Sequence, residues 1–164
     1  MICIRRSWAA AALAAAVFVC SALGADADST PAPATPAAGP PPLPAMIQWH
    51  TTESGVKYAE VKVGTGNTPT DGQIAVLHFI GWTESDGKQF DNSRERSNKP
   101  FGFKLGAGQV IRGWEEGVRG MRVGGVRRLI VPGELGYGSR GVPGRIAPDA
   151  TLIFDIELVG IATK

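Results

Sequence analysis

Cysteine is almost missing from this 164-residue chain: only Cys3 and Cys20 occur, both close to the amino terminus. A chain that loses its first residues therefore keeps none, which excludes disulfides, thiol catalysis and cysteine metal sites. Histidine is as scarce. His50 and His78 are the only two, and no other histidine stands at a metal-ligand spacing from either. An excess of one charge is also lacking, with 17 basic and 15 acidic residues. Arg119, Arg122, Arg127 and Arg128 are interspersed with Val and Gly and read as a solvated face, so no nucleic-acid partner is expected. Gly106-Ala107-Gly108 does not continue as GxGxxG, and neither a GxxxxGK[ST] loop nor a GxSxG elbow occurs. Glu115 and Glu116 are adjacent, and a helix points adjacent residues about 100° apart, so they do not form a paired-carboxylate site.

Long apolar runs are missing too. The stretch Trp8 to Val19 is too short to span a bilayer comfortably, follows the basic Arg5-Arg6 and precedes small residues. These features read as a signal peptide over 1–24, cleaved after residue 24 or 27, and not as a membrane anchor. Export to the periplasm or the medium is the corresponding expectation. Cys20 is a possible lipid-anchor site, but Val17-Phe18-Val19 puts a branched residue where a small one is needed. Removing Arg5 and Arg6 from the 17 basic residues leaves 15, equal to the 15 acidic ones. Residues 25–45 are rich in Pro and Ala, cannot bury a core and read as a disordered spacer. No amphipathic dimerisation arm precedes the folded region, so a monomer is expected.

The folded region, 46–164, is long enough for one core. Val56 to Val63, Ile74 to Trp82, Pro100 to Leu105, Gly125 to Val131 and Ala150 to Gly160 carry strand patterns. Gln89 to Ser93 begins a return segment after the turn at Glu84-Lys88, and the polar stretch Arg94 to Lys99 reads as a loop or bulge. Between the strands lies one short helix, Val110 to Val118. Ile111, Trp114, Val118 and Met121 share one of its faces. Gly113 and Gly117 each cost on the order of 1 kcal/mol relative to Ala in a helix interior, so the segment needs a sheet wrapped around it. The pattern gives an α+β fold, an antiparallel sheet with the helix laid against one face.

Phe79, Phe90, Phe101, Trp114, Tyr137 and Phe154 come from separate elements, and several should converge where the sheet closes on the helix. By themselves they are ordinary core residues. The motifs around them are more specific. Val110-Ile111-Arg112-Gly113-Trp114-Glu115-Glu116-Gly117 resembles the signature of the FKBP-type peptidyl-prolyl cis-trans isomerases. So do Gly87-Lys88-Gln89-Phe90-Asp91-Asn92-Ser93, Tyr137-Gly138 and Ala150-Thr151-Leu152-Ile153-Phe154-Asp155-Ile156-Glu157-Leu158. The resemblance runs from about Gly55 to Val159 and implies a curved antiparallel sheet wrapped around one short helix. It implies Trp114 as the floor under a proline ring, and Phe79, Phe90, Phe101, Ile146 and Phe154 as apolar walls. It further implies that Val110 and Ile111 lie at the helix entrance, with the Ile111 amide binding a ligand carbonyl. Tyr137 is implied as a hydroxyl donor to the peptide carbonyl, and Asp91, paired with Arg96, as a polar group at the rim.

Three residues depart from the family pattern. Phe79 stands where Tyr is common, Val142 where His is frequent and Arg145 where an apolar residue is frequent. Arg145 could favour acidic or polar residues near the proline. The implied partners are proline-containing polypeptides and macrolide inhibitors. No cofactor or metal is needed, because isomerisation requires only that the twisted amide be held better than the planar one. Two other readings stand beside this one: a proline-peptide-binding chaperone module with weak or no isomerase activity, and a structural module at the end of a tether.

Overall fold

The structure, a computed structural model, describes residues 39–163. The signal peptide, both cysteines and most of the spacer lie outside the described residues.

Seven strands form one antiparallel sheet: β1 (Trp49–Thr51), β2 (Lys57–Lys62), β3 (Ile74–Thr83), β4 (Gln89–Asn92), β5 (Phe101–Lys104), β6 (Val126–Val131) and β7 (Leu152–Ala162). Their order is β1-β2-β6-β7-β3-β4, with β5 also paired to β3. Helix α1 (Ser93–Arg96) follows β4, and α2 (Arg112–Val118) follows β5. The expected architecture, a sheet enclosing one central helix, is what forms.

Alternation explains which face is buried. On β7, Leu152, Phe154, Ile156 and Leu158 are buried while Ile153, Asp155 and Glu157 are partly exposed. On β3, Ala75, Leu77 and Phe79 point inward. These residues meet Trp114, Val118 and Met121 from the helix side in one cluster. The two helix glycines are where the sheet comes closest. A Cβ on Gly113 would lie 2.3 Å from Val131 Cγ1, and one on Gly117 2.3 Å from Leu129 Cδ1. No side chain fits there, so the residues that weaken the helix let it touch β6.

Three sequence expectations need correction. The helix begins at Arg112, not Val110, because Ile111 has ψ 147° and is extended. The stretch read as a loop from Arg94 contains a single helical turn, α1, capped where the Asn92 side chain accepts the Arg94 N–H at 3.0 Å. Finally, Arg127 and Arg128 are not solvated; both are buried. Arg127 bonds Glu60, and Arg128 bonds Asp155 through Nε at 2.5 Å and Nη2 at 2.6 Å. A basic cluster on a strand alternates between faces, so charge counting missed that each arginine lies opposite a carboxylate. Arg119 and Arg122 are exposed, as expected.

Candidate functional site: an aromatic cleft over the central helix

Each lining element delivers its side chain for a local reason. Gly81 on β3 pairs with Phe154 and Asp91. A Cβ there would stand 2.6 Å from Phe90 Cζ and 2.9 Å from Phe154 Cε1. Its absence lets the two rings meet edge to face, 5.6 Å between centroids and 90° between planes. Ser93, at the start of α1, is buried and ties that turn to β3. Its hydroxyl accepts the Phe79 N–H at 3.0 Å, donates to the Phe79 carbonyl at 3.2 Å, and lies 3.0 Å from His78 Nδ1. This brings Arg96 within reach of Asp91, and Arg96 Nη1 bonds Asp91 Oδ2 at 3.2 Å. Asp91 Oδ1 also accepts the Asn92 N–H at 2.9 Å.

The approach to α2 is fixed from the helix side. Glu115 accepts the Gly106 and Gly108 N–H groups at 2.6 and 2.9 Å, which holds the loop that leads to Gln109, Val110 and Ile111. Glu116 goes elsewhere, accepting from Thr52 Oγ1 at 3.1 Å. The adjacent carboxylates therefore anchor two different loops. No side chain caps the helix at Ile111, and the Ile111 amide donates to no acceptor among the described residues.

Together these elements line a cleft of about 440 Å³, formed by Phe79, Phe90, Phe101, Trp114, Phe154 and the residues around them. That volume suits a small peptide segment, within the roughly 300–1,000 Å³ of ligand pockets. Trp114 lines the cleft from α2. Its ring packs edge to face on Phe79 at 4.7 Å, Phe154 at 5.3 Å and Phe101 at 6.0 Å. The indole Nε1–H has no hydrogen-bond partner among the described residues. Asp91, Arg96 and Tyr137 place polar groups around this apolar centre.

The structure brings ten of the eleven sequence-selected residues to the cleft: Asp91, Tyr137, Phe90, Trp114, Phe79, Arg96, Phe101, Val110, Ile111 and Phe154. Ile146 is not among the lining residues. It is buried in the core, and its backbone closes the loop on Val142 through bonds of 2.9 and 2.8 Å. Gln109 lines the cleft and was not selected from the sequence. Its side-chain oxygen accepts the Lys104 N–H at 2.9 Å, a contact that only the folded loop between β5 and α2 creates.

Tyr137 stands between two single-turn 3₁₀ segments, Gly133–Leu135 and Gly138–Arg140, with its ring partly open to solvent. Burial and the nearby Asp91 carboxylate raise its pKa above 10.0, while Arg145 pulls the other way. The hydroxyl therefore keeps its proton at neutral pH and can donate. The folded state holds that proton more tightly than the unfolded chain. Its contribution to stability is therefore constant below the unfolded value near 10 and is lost as pH rises beyond it. A phenolate absorbance titration of the native chain against Tyr137→Phe is expected to place this ionisation above pH 10; a value below 9 contradicts it.

Known proteins similar to this chain fall in one family. A sequence model of the family "FKBP-type peptidyl-prolyl cis-trans isomerase" matches residues 65–159. "FK506-binding protein 1" of Dictyostelium discoideum is 49% identical over 105 residues, 64% of this chain and 96% of that protein. "Peptidyl-prolyl cis-trans isomerase Fkbp12" of Drosophila melanogaster is 48% identical over 108 residues, 65% of this chain and 98% of that protein. Among solved structures, AtFKBP13 superposes with a TM-score of 0.65 at 37% identity, covering 70% of this chain and 99% of that one. FkpA from Escherichia coli gives 0.62 at 40% identity, covering 69% of this chain and 51% of that one. With its sheet, its single central helix and its aromatic cleft in these positions, the chain belongs to the FKBP-type peptidyl-prolyl cis-trans isomerase family.

Proposed function

We propose that this isomerase acts on X-Pro bonds of exported polypeptides during folding, as a monomer, by holding the twisted amide in the aromatic cleft. The observation that carries the mechanism is the conjunction of Trp114, whose indole N–H meets no acceptor among the described residues, with two donors beside it, the Ile111 amide and the Tyr137 hydroxyl, for which the described residues supply no acceptor either.

Uncatalysed rotation faces a barrier of about 18–20 kcal/mol, because the planar amide is stabilised by resonance. Twisting removes that resonance and with it much of the charge separation on oxygen and nitrogen. An aromatic cleft then favours the twisted form relative to water, which solvates the planar amide well. In this reading the proline ring lies on Trp114 against Phe79, Phe90, Phe101 and Phe154. The Ile111 N–H and Tyr137 O–H hold the flanking carbonyls, so only the X-Pro bond is free to turn. Asp91, fixed by Arg96, faces this rim with no hydroxyl on Phe79 to share it. A macrolide that mimics proline occupies the same cleft.

A protease-coupled assay on an Ala-Xaa-Pro-Phe peptide tests this. Cis-to-trans conversion well above the uncatalysed rate is expected, and a macrolide should suppress it. A rate no faster than the uncatalysed one, with peptide still bound, turns the reading to the proline-binding chaperone module. Export rests on the leader's composition. Mass spectrometry of the mature amino terminus is expected to find cleavage after residue 24 or 27. A chain that keeps Met1, or one lipidated at Cys20, defeats that part.

A further inference from the structure

The outer face of the sheet, opposite α2, is covered in a way that alternation alone does not explain. Strand registers align Trp49, Ala59, Arg128, Asp155 and Ile80 in one row across β1, β2, β6, β7 and β3. The adjoining row runs Ile130, Ile153 and Trp82. These residues alternate with core residues along their strands and so face outward. Yet Ala59 is 0%, Trp82 4% and Arg128 5% exposed. A sheet surface facing water does not enclose an indole and a guanidinium to that degree.

The segment before β1 lies on this face. The Pro41 carbonyl accepts a hydrogen bond from Arg128 Nη1 at 2.6 Å. A Cβ built on Gly39 stands 3.9 Å from the Gly87 Cα, in the turn joining β3 to β4. The chain thus passes from that turn, across the outer face, to β6. It then turns where the Ile47 N–H donates to the Pro44 carbonyl at 3.1 Å, and enters β1. This end of the stretch assigned as spacer is therefore in contact with the domain.

The sequence here is Gly39-Pro40-Pro41-Pro42-Leu43-Pro44. Proline fixes its own φ near −65°, and a following proline drives the preceding residue into the extended region. The segment is thus held close to polyproline II, a strand with no internal hydrogen bonds and free carbonyls. The face beneath it is built to match. Asp155 takes Nε and Nη2 of Arg128 in a fork, which leaves Nη1 aimed at the strand. Trp82 supplies the aromatic surface on the same side. A directed donor and an indole on one face, two strands apart, match the way grooves recognise proline-rich strands.

We propose that the outer sheet face is a second proline-recognition site, separate from the isomerase cleft. Its ligand is a polyproline-II strand, and its resident occupant is the chain's own residues 39–44, bound in cis. The assignment does not rest on the isomerase mechanism, since none of its residues lines the cleft.

Hydroxyl-radical footprinting of the full chain tests it. In a P40G/P41G/P42G variant, oxidation of Trp82 is expected to rise several-fold, while Trp114 oxidation and isomerase activity stay unchanged. A single Pro41→Gly change should give a smaller rise in the same direction. Added Gly-Pro-Pro-Pro-Leu-Pro-Ala peptide should restore Trp82 protection in the triple variant. It should fail when Arg128→Lys is also present, since lysine keeps the charge but loses the fork. Unchanged Trp82 oxidation in the triple variant, or a peptide that does not protect, overturns the site. Trp82 protection in the native chain that falls on dilution alongside a dimer in sedimentation assigns the strand to a second copy, and overturns the cis assignment.

Discussion

Arg127→Ala is expected to lower the unfolding free energy by about 3 kcal/mol, the low end of the cost of breaking a buried ion pair. The low end applies because the Glu60 side chain retains 30% of its exposure. Arg127 Nη1 donates to the carbonyls of Gly117 at 2.7 Å and Arg119 at 3.1 Å, at the end of α2. Its Nε bonds Glu60 at 3.0 Å, and its guanidinium lies 4.4 Å from the Tyr58 ring centroid. The last turn of α2 contains no basic residue of its own, so the cation that complements the helix carbonyls comes from β6. Alanine leaves the Gly117 carbonyl and the Glu60 carboxylate uncompensated together. Urea unfolding measures the loss; a change below about 1 kcal/mol would mean that water replaces the guanidinium at little cost.

Asp91→Ala is expected to lower kcat/KM by about ten- to a hundredfold, equivalent to roughly 1.5–3 kcal/mol for a hydrogen bond to a charged group. Stability should change by no more than about 0.5 kcal/mol, since the Arg96 partner is mostly in solvent and such pairs contribute little. Arg96 Nη1 bonds Asp91 at 3.2 Å, with the arginine side chain 57% exposed. Asp91 faces the cleft, and among the described residues no other carboxylate lines it. Stopped-flow or protease-coupled kinetics beside an unfolding curve separate the two effects. Equal losses of activity and stability would make Asp91 a structural residue. Trp114→Ala is a poorer test, because emptying that site costs about 3–5 kcal/mol of core packing and unfolds what it was meant to probe.

The parts of the fold that sequence displays are those with a strong period. β7 alternates from Leu152 to Leu158 and β3 is a nearly continuous apolar run, and the Ile111, Trp114, Val118, Met121 spacing marks the buried side of α2. Phe90, Asp91, Val110, Ile111, Trp114, Tyr137 and Phe154 were reachable because they lie inside distinctive motifs, and Phe79, Arg96 and Phe101 through the family resemblance that those motifs carry. The features that escaped depend on distant partners. β1 is three residues long and all exposed; it exists through pairing with β2, not through its own pattern. The burial of Arg127 and Arg128 requires Glu60 and Asp155 across the sheet. Gln109 escaped for a local reason, since its bond to Lys104, five residues away, forms only once the loop after β5 has folded back. Composition alone marks 39–45 as featureless, since nothing in a proline run announces the guanidinium that meets it.

The glycine seam between α2 and β6 also constrains how the protein reaches this state. Ala at Gly113 or Gly117 strengthens an isolated helix by about 1 kcal/mol each. The contacts with Val131 and Leu129 forbid that remedy. A seven-residue helix with two interior glycines cannot persist before its partner strands arrive. Those strands are themselves distant in sequence: β2 pairs with β6, and β3 with β7. The chain therefore has no early local nucleus at its centre, and its folding waits on long-range strand pairing. The core of this isomerase is held by contacts between segments far apart in the chain.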